Sequence, residues 1–253
     1  MINSSLSCRC KEIILGSLLG DGSLRIQKGY KHARFSFRHS LKYKDYFYWK
    51  VEQLKEISGE KSVFLQSDKN GCGKDKLRYQ SLALPSLTEL YNLTHKRNIL
   101  RVRRKWLNQL SPLSLCIWWL DDGSLVSDCR QGVFCTDNFA YEELLTIVRY
   151  FRKVWNIRVR IGRVAKQGKR SGQYRLWIRS TEELKKFLRI ILPHVQVQSM
   201  LYKVLILYND PNLQERWISE VCEKTGFQRN ILEDCVNERK QKLRFYTKLR
   251  TSP

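Results

Sequence analysis

Acidic residues are scarce in this 253-residue chain: 24 Asp and Glu stand against 47 Lys and Arg, a formal charge of +23. A surplus of that size must face solvent or a polyanion, and nucleic acid is the default, ahead of an anionic membrane surface. Long apolar runs are missing too. No stretch reaches the roughly 18 uncharged apolar residues that mark a membrane span, and no apolar core of a secretory signal follows Met1 to Cys10. A transit peptide fits poorly, because the first functional helix starts almost at once. The reading is of a chain encoded where it acts. Four histidines are too few for a histidine-rich metal cluster. The eight cysteines contain no CxxC pair, which argues against structural zinc and leaves them as reduced thiols.

What is present comes twice. Glu12 to Ser23 and Leu113 to Ser124 are apolar runs that each end in Asp-Gly-Ser. The spacing predicts helices over 11–20 and 113–121, the second begun by Ser111 as N-cap and Pro112 in the first turn, and stopped by Gly123; Gly22 stops the first. Strands follow at 24–27 and 31–38, where Ala33, Phe35 and Phe37 alternate with polar residues. The stretch 131–136 is the counterpart in the second copy. Apolar stripes (Tyr43, Phe47, Val51, Leu54; Leu144, Val148, Phe151) predict helices over 41–57 and 141–155. Hairpins are expected at 62–66 with 76–82 and at 157–164 with 173–179, turning at Asn70-Gly71 and between Gly168 and Gly172. Shorter helices close each copy near 86–93 and 181–192. The result is a mixed α/β (α+β) unit made twice.

The polar strand faces carry Arg and Gln and almost no acids. In the first copy these are Arg25, Gln27, Arg34, Ser36, Arg38, Arg78 and Gln80, with Lys28 and Lys31 beside them. In the second they are Arg158, Arg160, Gln173, Arg175, Trp177 and Arg179, with Arg130 near the first hairpin and Lys166, Lys169 and Arg170 in the later turn. An ordinary solvated face mixes both signs. Arg and Gln have the geometry that reads base edges in the major groove, and the turn cations suit phosphates.

Asp21 and Asp122 each sit where a helix ends, the wrong end of the dipole for an anion, at a cost of about 0.3–1 kcal/mol each. A divalent cation offsets that cost and reconciles the acids with a phosphate-seeking surface. Two carboxylates and a DNA phosphate form a hard, all-oxygen site suited to Mg²⁺, with Mn²⁺ or Ca²⁺ able to occupy it.

Residues Ile14 to Gly22 and Leu115 to Gly123 resemble the two motifs of LAGLIDADG homing endonucleases, a likeness that spans residues 10–208. It implies tandem αββαββα repeats with pseudo-symmetry, motif helices at their interface, and two saddle-shaped antiparallel sheets in the major groove. It implies a metal-dependent staggered cut in a long, nearly asymmetric double-stranded DNA target, made by a monomer. Asp21 and Asp122 align with the metal-binding acids, with the backbone carbonyls of Gly20 and Asp121 as further contacts. Asp121 competes with Asp122 as ligand. The segment from Leu192 to Lys203 resembles the one that delivers a basic residue, Lys203, to the second active site; Arg97 is its counterpart in the first, with Lys96 and Arg101 as alternatives. Ile117 and Trp118 replace Gly16 and Ser17, so the helix interface is expected to be asymmetric. An intron in a chloroplast or mitochondrial gene is the usual setting.

The expected division is residues 1–105 and 106–208 as the two repeats, with 209–253 as a basic helical extension. That extension reads as a helix-turn-helix or as a helical pair packed on the core, and Glu233 and Asp234 weigh against tight base reading. Two other functions stay open: an RNA-splicing maturase with host intron RNA as partner, and a DNA-binding protein without chemistry.

Overall fold

The computed structural model describes residues 5–67, 75–126, 129–164 and 173–251. The first half runs α1 (Cys8–Ser17), β1 (Ser23–Arg25), β2 (Arg34–Ser40), α2 (Lys44–Gln53), β3 (Val63–Gln66), β4 (Lys76–Gln80) and α3 (Pro85–Thr94). A small hairpin, β5 (His95–Lys96) and β6 (Ile99–Leu100), and a short α4 (Arg104–Leu107) lead onward. The second half repeats the order: α5 (Pro112–Asp122), β7 (Gly123–Val126), β8 (Gln131–Phe134), α6 (Tyr141–Tyr150), β9 (Arg160–Arg163), β10 (Tyr174–Ile178) and α7 (Thr181–Ile191). Helices α8 (Pro211–Thr225) and α9 (Arg229–Thr251) finish the chain. Among the described residues, no helix is long and apolar enough to cross a membrane.

The two four-stranded antiparallel sheets share one topology, β1-β2-β4-β3 and β7-β8-β10-β9. Their inner faces follow from strand alternation. Leu24, Phe35, Phe37, Leu77 and Tyr79 are buried in one half, and Phe134, Leu176 and Ile178 in the other. Helices α1 and α5 pack against each other between the sheets. Ser111 caps α5 as expected, its Oγ accepting from the Ser114 amide at 3.2 Å. Ser114 Oγ then donates to the Glu12 carbonyl of α1 at 2.9 Å, tying the helices together.

The expected asymmetry of that interface is present. A Cβ on Gly16 would lie 2.3 Å from the Ser114 carbonyl oxygen, and one on Gly20 would lie 2.6 Å from Asp121 Cβ. Trp118 instead turns outward into its own repeat, 4.3 Å from the Phe134 ring centroid. The bounds of α1 differ from expectation. It begins at Cys8, capped by Ser7, and stops at Ser17. Residues 18–21 continue as turns: the Leu19 and Gly20 amides make tight bonds to the Gly16 and Ser17 carbonyls, and the Gly22 amide reaches back five residues to Ser17. Glycine favours helix weakly and permits this tightening, whereas α5, rich in Trp and Leu, stays helical to Asp122.

The β5–β6 hairpin and α4 were not foreseen. Residues Arg229–Thr251 form one helix, α9. Helices α8 and α9 pack on each other and on the segment after α7, the helical-pair arrangement. The turns at 70–73 and 168–172 fall outside the described residues.

Gly16→Ala should destabilise the protein by about 1–3 kcal/mol through overpacking, lowering Tm by roughly 2–4 °C per kcal/mol for a chain of this size. Urea and thermal unfolding check this; an unchanged midpoint would show that the helices can separate without loss.

Candidate metal centre and nucleic-acid interface

The C-terminal ends of the two motif segments converge. Three carboxylates meet there, and they are not equivalent. Asp21 lies past the last turn of its helix with its side chain 42% exposed. Asp122 ends α5 and is half-buried. The Asp121 side chain is fully buried: Lys50 Nζ donates to its two oxygens at 2.8 and 2.9 Å, and the Tyr46 hydroxyl donates at 2.9 Å. Both donors come from α2 of the other repeat, so this ion pair crosses the pseudo-symmetric interface.

Lys203 is buried beside the same point. Its Nζ donates to the carbonyls of Leu120 at 2.6 Å and Asp121 at 3.2 Å, capping α5. The Trp119 indole holds the Lys203 carbonyl at 2.9 Å. Burial pulls the Lys203 pKa down, and the three aspartates pull it back up.

Burial, followed by the charge of Asp121, pushes Asp21 up to about 6. Burial, followed by the charges of Asp21 and Asp121, pushes Asp122 up to about 7. Such carboxylates gain most from a cation. His39 also reaches the site from β2, its Nδ1 3.5 Å from Asp21 Oδ2 and its Nε2 4.0 Å from Asp121 Oδ1. Burial, with the Lys50 charge, lowers its pKa to about 4, so the ring is neutral. Asp21, His39 and Asp121 each offer a ligand atom within 4.8 Å of the others, a cluster able to coordinate a divalent ion. Asp21 and Asp122 have the opener oxygens; those of Asp121 are engaged. A cavity of about 290 Å³ opens here, lined by Asp21, Arg38, His39, Tyr46, Asp121 and Lys203 among others.

A second groove, of about 280 Å³, shares Asp21 and runs over the outer face of the first sheet. Arg25, Gln27, Arg34, Ser36, Arg38, Arg78 and Gln80 line it. Strand register explains the grouping: Arg25 lies opposite Arg34, Ser36 opposite Gln80, and Arg38 opposite Arg78. Lys28 and Lys31 are exposed in the β1–β2 loop.

The second sheet is different. The Arg175 guanidinium is held by Asp137 through two 2.7 Å hydrogen bonds. Arg158 leans to Glu183, 3.6 Å away, though it remains largely exposed. Arg160 is exposed opposite Trp177, whose ring has the Arg179 guanidinium 5.6 Å from its centroid. Gln173 is half-buried and Arg130 exposed. Lys166, Lys169 and Arg170 lie outside the described residues.

Arg97 sits in the exposed turn of the β5–β6 hairpin at φ 52°, next to Lys96. The cations acting on Asp21 are Lys50, Lys203 and Arg38. Arg101 instead faces Glu143 at 3.9 Å. Lys50, Tyr46 and His39 escaped the sequence reading. The signal for Lys50 was a lysine three residues after Phe47 and four before Leu54, on an apolar stripe. The signal for His39 was the alternation 33, 35, 37, carried one step further.

The profile of the LAGLIDADG DNA endonuclease family matches residues 11–187. The chain is 26% identical over 212 residues to the cytochrome b mRNA maturase bI2 of Saccharomyces cerevisiae, a match covering 79% of this chain and 48% of that protein. It is 26% identical over 216 residues to the DNA endonuclease I-ChuI of Chlamydomonas applanata, covering 79% and 96%. The chain spans about half the length of the maturase and of the RecA protein of Mycolicibacterium flavescens, which it also matches. The fold resembles that of the homing endonuclease I-WcaI bound to its DNA recognition sequence, with a TM-score of 0.69 at 19% identity over 81% of this chain and 89% of that one.

Two predictions follow from the charges. Lys50→Met strands a buried carboxylate and should cost about 3–5 kcal/mol, most of it recovered when Asp121→Asn is added; denaturant titration of the two variants tests the coupling. Asp122 titrates at about 7 in the fold against 3.8 as its ordinary value. A raised acid contributes stability below its unfolded pKa, lost as pH rises through the folded one. Without metal, Asp122→Asn should therefore stabilise the chain at pH 8, on the order of 1 kcal/mol after solvent screening. The gain should shrink toward pH 5. An equal or larger gain at pH 5 would contradict it.

Proposed function

The chain belongs to the LAGLIDADG DNA endonuclease family, and on that footing we propose that it is a site-specific homing endonuclease. It makes a staggered double-strand break in a long, nearly asymmetric DNA target by metal-dependent phosphodiester hydrolysis. The observation that carries this is the pairing of two open, charge-crowded aspartates with an arginine-lined groove that shares one of them.

The roles follow from position. The first sheet lays Arg25, Arg34, Arg38 and Arg78 against the duplex, where Arg pairs with guanine edges or phosphates. That docking brings a phosphate of each strand toward Asp21 and Asp122. These two acids would hold the metal, each at its own half-site, with the Gly20 and Asp121 carbonyls as further donors. A divalent ion such as Mg²⁺, when bound, supplies water activation and charge neutralisation at the phosphate. Lys203, fixed at the end of α5, stabilises the phosphoryl charge that develops at the second site. Arg97 is the proposed counterpart at the first. One chain supplies both acids, so a monomer suffices. The setting we propose is an organellar intron.

The likeness to an mRNA maturase favours a second reading, in which the same basic surface binds intron RNA and promotes splicing. A splicing assay with the host intron separates the two.

Selection of cleaved sites from a randomised DNA library with Mg²⁺ tests the enzyme reading. Asp21→Asn and Asp122→Asn should each abolish double-strand cleavage while target binding persists, and Lys203→Met should slow it about 10²–10³-fold. Binding should weaken linearly in log salt as phosphate contacts release counterions. Metal-independent binding with no cut site in the library would remove the enzyme reading. Because the two sites have different basic neighbours, a nicked intermediate should accumulate in the wild type; equal rates on both strands would count against unequal sites.

A further inference from the structure

His39 stands on β2 with the inward-facing Phe37, packed between aromatic rings: Phe37 at 5.4 Å and Tyr46 at 5.2 Å, centroid to centroid. The residue is only 8% exposed. Its Nε2 has no hydrogen-bond partner in spite of that burial. A buried, unsatisfied imidazole nitrogen costs stability and is unusual in a structural histidine. The ring nevertheless points at the acid cluster, with Nδ1 3.5 Å from Asp21 Oδ2. Two donor atoms each about 2.1 Å from one ion lie roughly 3–3.5 Å apart in octahedral or tetrahedral geometry. The 3.5 Å separation seen here falls at the upper end of that range.

On the other side, Nε2 lies 4.0 Å from Asp121 Oδ1, beyond hydrogen-bond distance. A histidine that binds metal through one nitrogen commonly gives its other N–H to a carboxylate, which fixes the ring. Asp121 is itself fixed, by Lys50 and Tyr46. The row Asp21, His39, Asp121, Lys50 thus resembles a ligand, a second ligand, its orienting carboxylate and a counter-charge.

The second repeat lacks this arrangement. Ser23 pairs with Ser36 across β1–β2, and Ser124 pairs with Val133 across β7–β8. That register makes Thr136 the counterpart of His39. Thr136 is buried, and its hydroxyl donates to the Tyr174 carbonyl at 3.1 Å. Threonine there satisfies itself and offers no nitrogen.

We propose that His39 is a metal ligand of the first half-site, its Nδ1 sharing with the Asp21 carboxylate a first-row divalent transition ion such as Mn²⁺. The two half-sites then differ in donor set: a histidine nitrogen joins the carboxylate at Asp21, and Thr136 stands in its place in the repeat of Asp122. Imidazole raises affinity for first-row transition ions over Mg²⁺ and Ca²⁺, which prefer oxygen. The assignment rests on the metal-dependent reading of this site and adds a ligand to it.

Electron spin-echo modulation of the full-length protein loaded with substoichiometric Mn²⁺ reads the ligand directly. Wild type should show the ¹⁴N modulation of a coordinated imidazole, changing to the ¹⁵N pattern when histidine is ¹⁵N-labelled. His39→Ala should still bind Mn²⁺ but lose the modulation, with Mn²⁺ affinity down about ten-fold and Mg²⁺ affinity nearly unchanged. Mn²⁺ bound in wild type without nitrogen modulation overturns the assignment while leaving a metal site. Modulation that survives in His39→Ala overturns it too. Absence of Mn²⁺ binding by titration of the free-ion signal removes both this ligand and the metal-dependent reading. The labelled wild-type measurement decides the matter even if the variant fails to fold.

Discussion

Three carboxylates are forced together where two glycine- and tryptophan-bearing helices converge, and the arrangement around them answers that crowding. Left alone, three negative charges at helix ends in a partly dry cavity would repel one another and oppose the helix dipoles. Two buried lysines offset the crowding in different ways. Lys50 neutralises Asp121 completely, in a pair closed to solvent. Lys203 instead occupies the carbonyls at the end of α5 and acts on all three acids through space. What remains sits on Asp21 and Asp122, whose pKa values are raised first by burial and then by the neighbouring carboxylates. A buried ion pair is a weak source of net stability but a good device for register. Here it joins α2 of one repeat to the tip of α5 of the other, so the pair sets how far the two motif ends approach.

The pseudo-symmetry holds in topology and fails in chemistry. Both sheets have the same strand order, and the first gathers its arginines along one groove. In the second, Asp137 takes up Arg175, Glu183 draws Arg158, and Trp177 covers Gly162, where a Cβ would come within 2.7 Å of its ring. Exposed arginines remain on both faces, Arg160, Arg163 and Arg179 among them in the second, and the second adds the Trp177 ring. The same inequality reaches the centre, where Gly20 makes room for Asp121 and His39 answers to Thr136.

Much of this was legible in the sequence because it rests on local rules. The doubled Asp-Gly-Ser, the Ser111-Pro112 start, the stop at Gly123 and the alternation at 33, 35 and 37 each follow from backbone preferences that do not need the partner repeat. Lys203 was legible by resemblance. The rest depends on contacts between repeats. Lys50 lies on the apolar stripe of its helix, but the partner that explains it, Asp121, comes from the other half. His39 lay one residue beyond the expected strand end, so the alternation that turns it inward stopped short of it. The early stop of α1 reflects close packing on α5, which the composition of α1 permits but does not dictate. The β5–β6 hairpin escaped because two-residue strands have no periodicity to detect.

The C-terminal helices belong to the same electrostatic problem. A buried ammonium must be held rigidly, because its hydrogen bonds to the carbonyls of Leu120 and Asp121 have to offset its lost hydration. The segment Gln198–Lys203 that carries it is a 3₁₀ helix packed on β7 and on α2, α5 and α9. Side chains fix it further. The Tyr202 hydroxyl meets that of Tyr43 at 3.1 Å, and the Arg239 guanidinium of α9 lies 5.5 Å from the Tyr202 ring centroid. Just beyond, Trp217 and Gln214 of α8 donate to the carbonyls of Val204 and Ile206. Arg239 also reaches Cys129 Sγ, next to the β7–β8 turn, at 2.9 Å. These helices thus brace the extended segment behind Lys203. An acid-bearing α9 that contributes badly to base reading contributes well to that role, and it links the end of the chain to the second acidic centre through two residues, Tyr202 and Lys203.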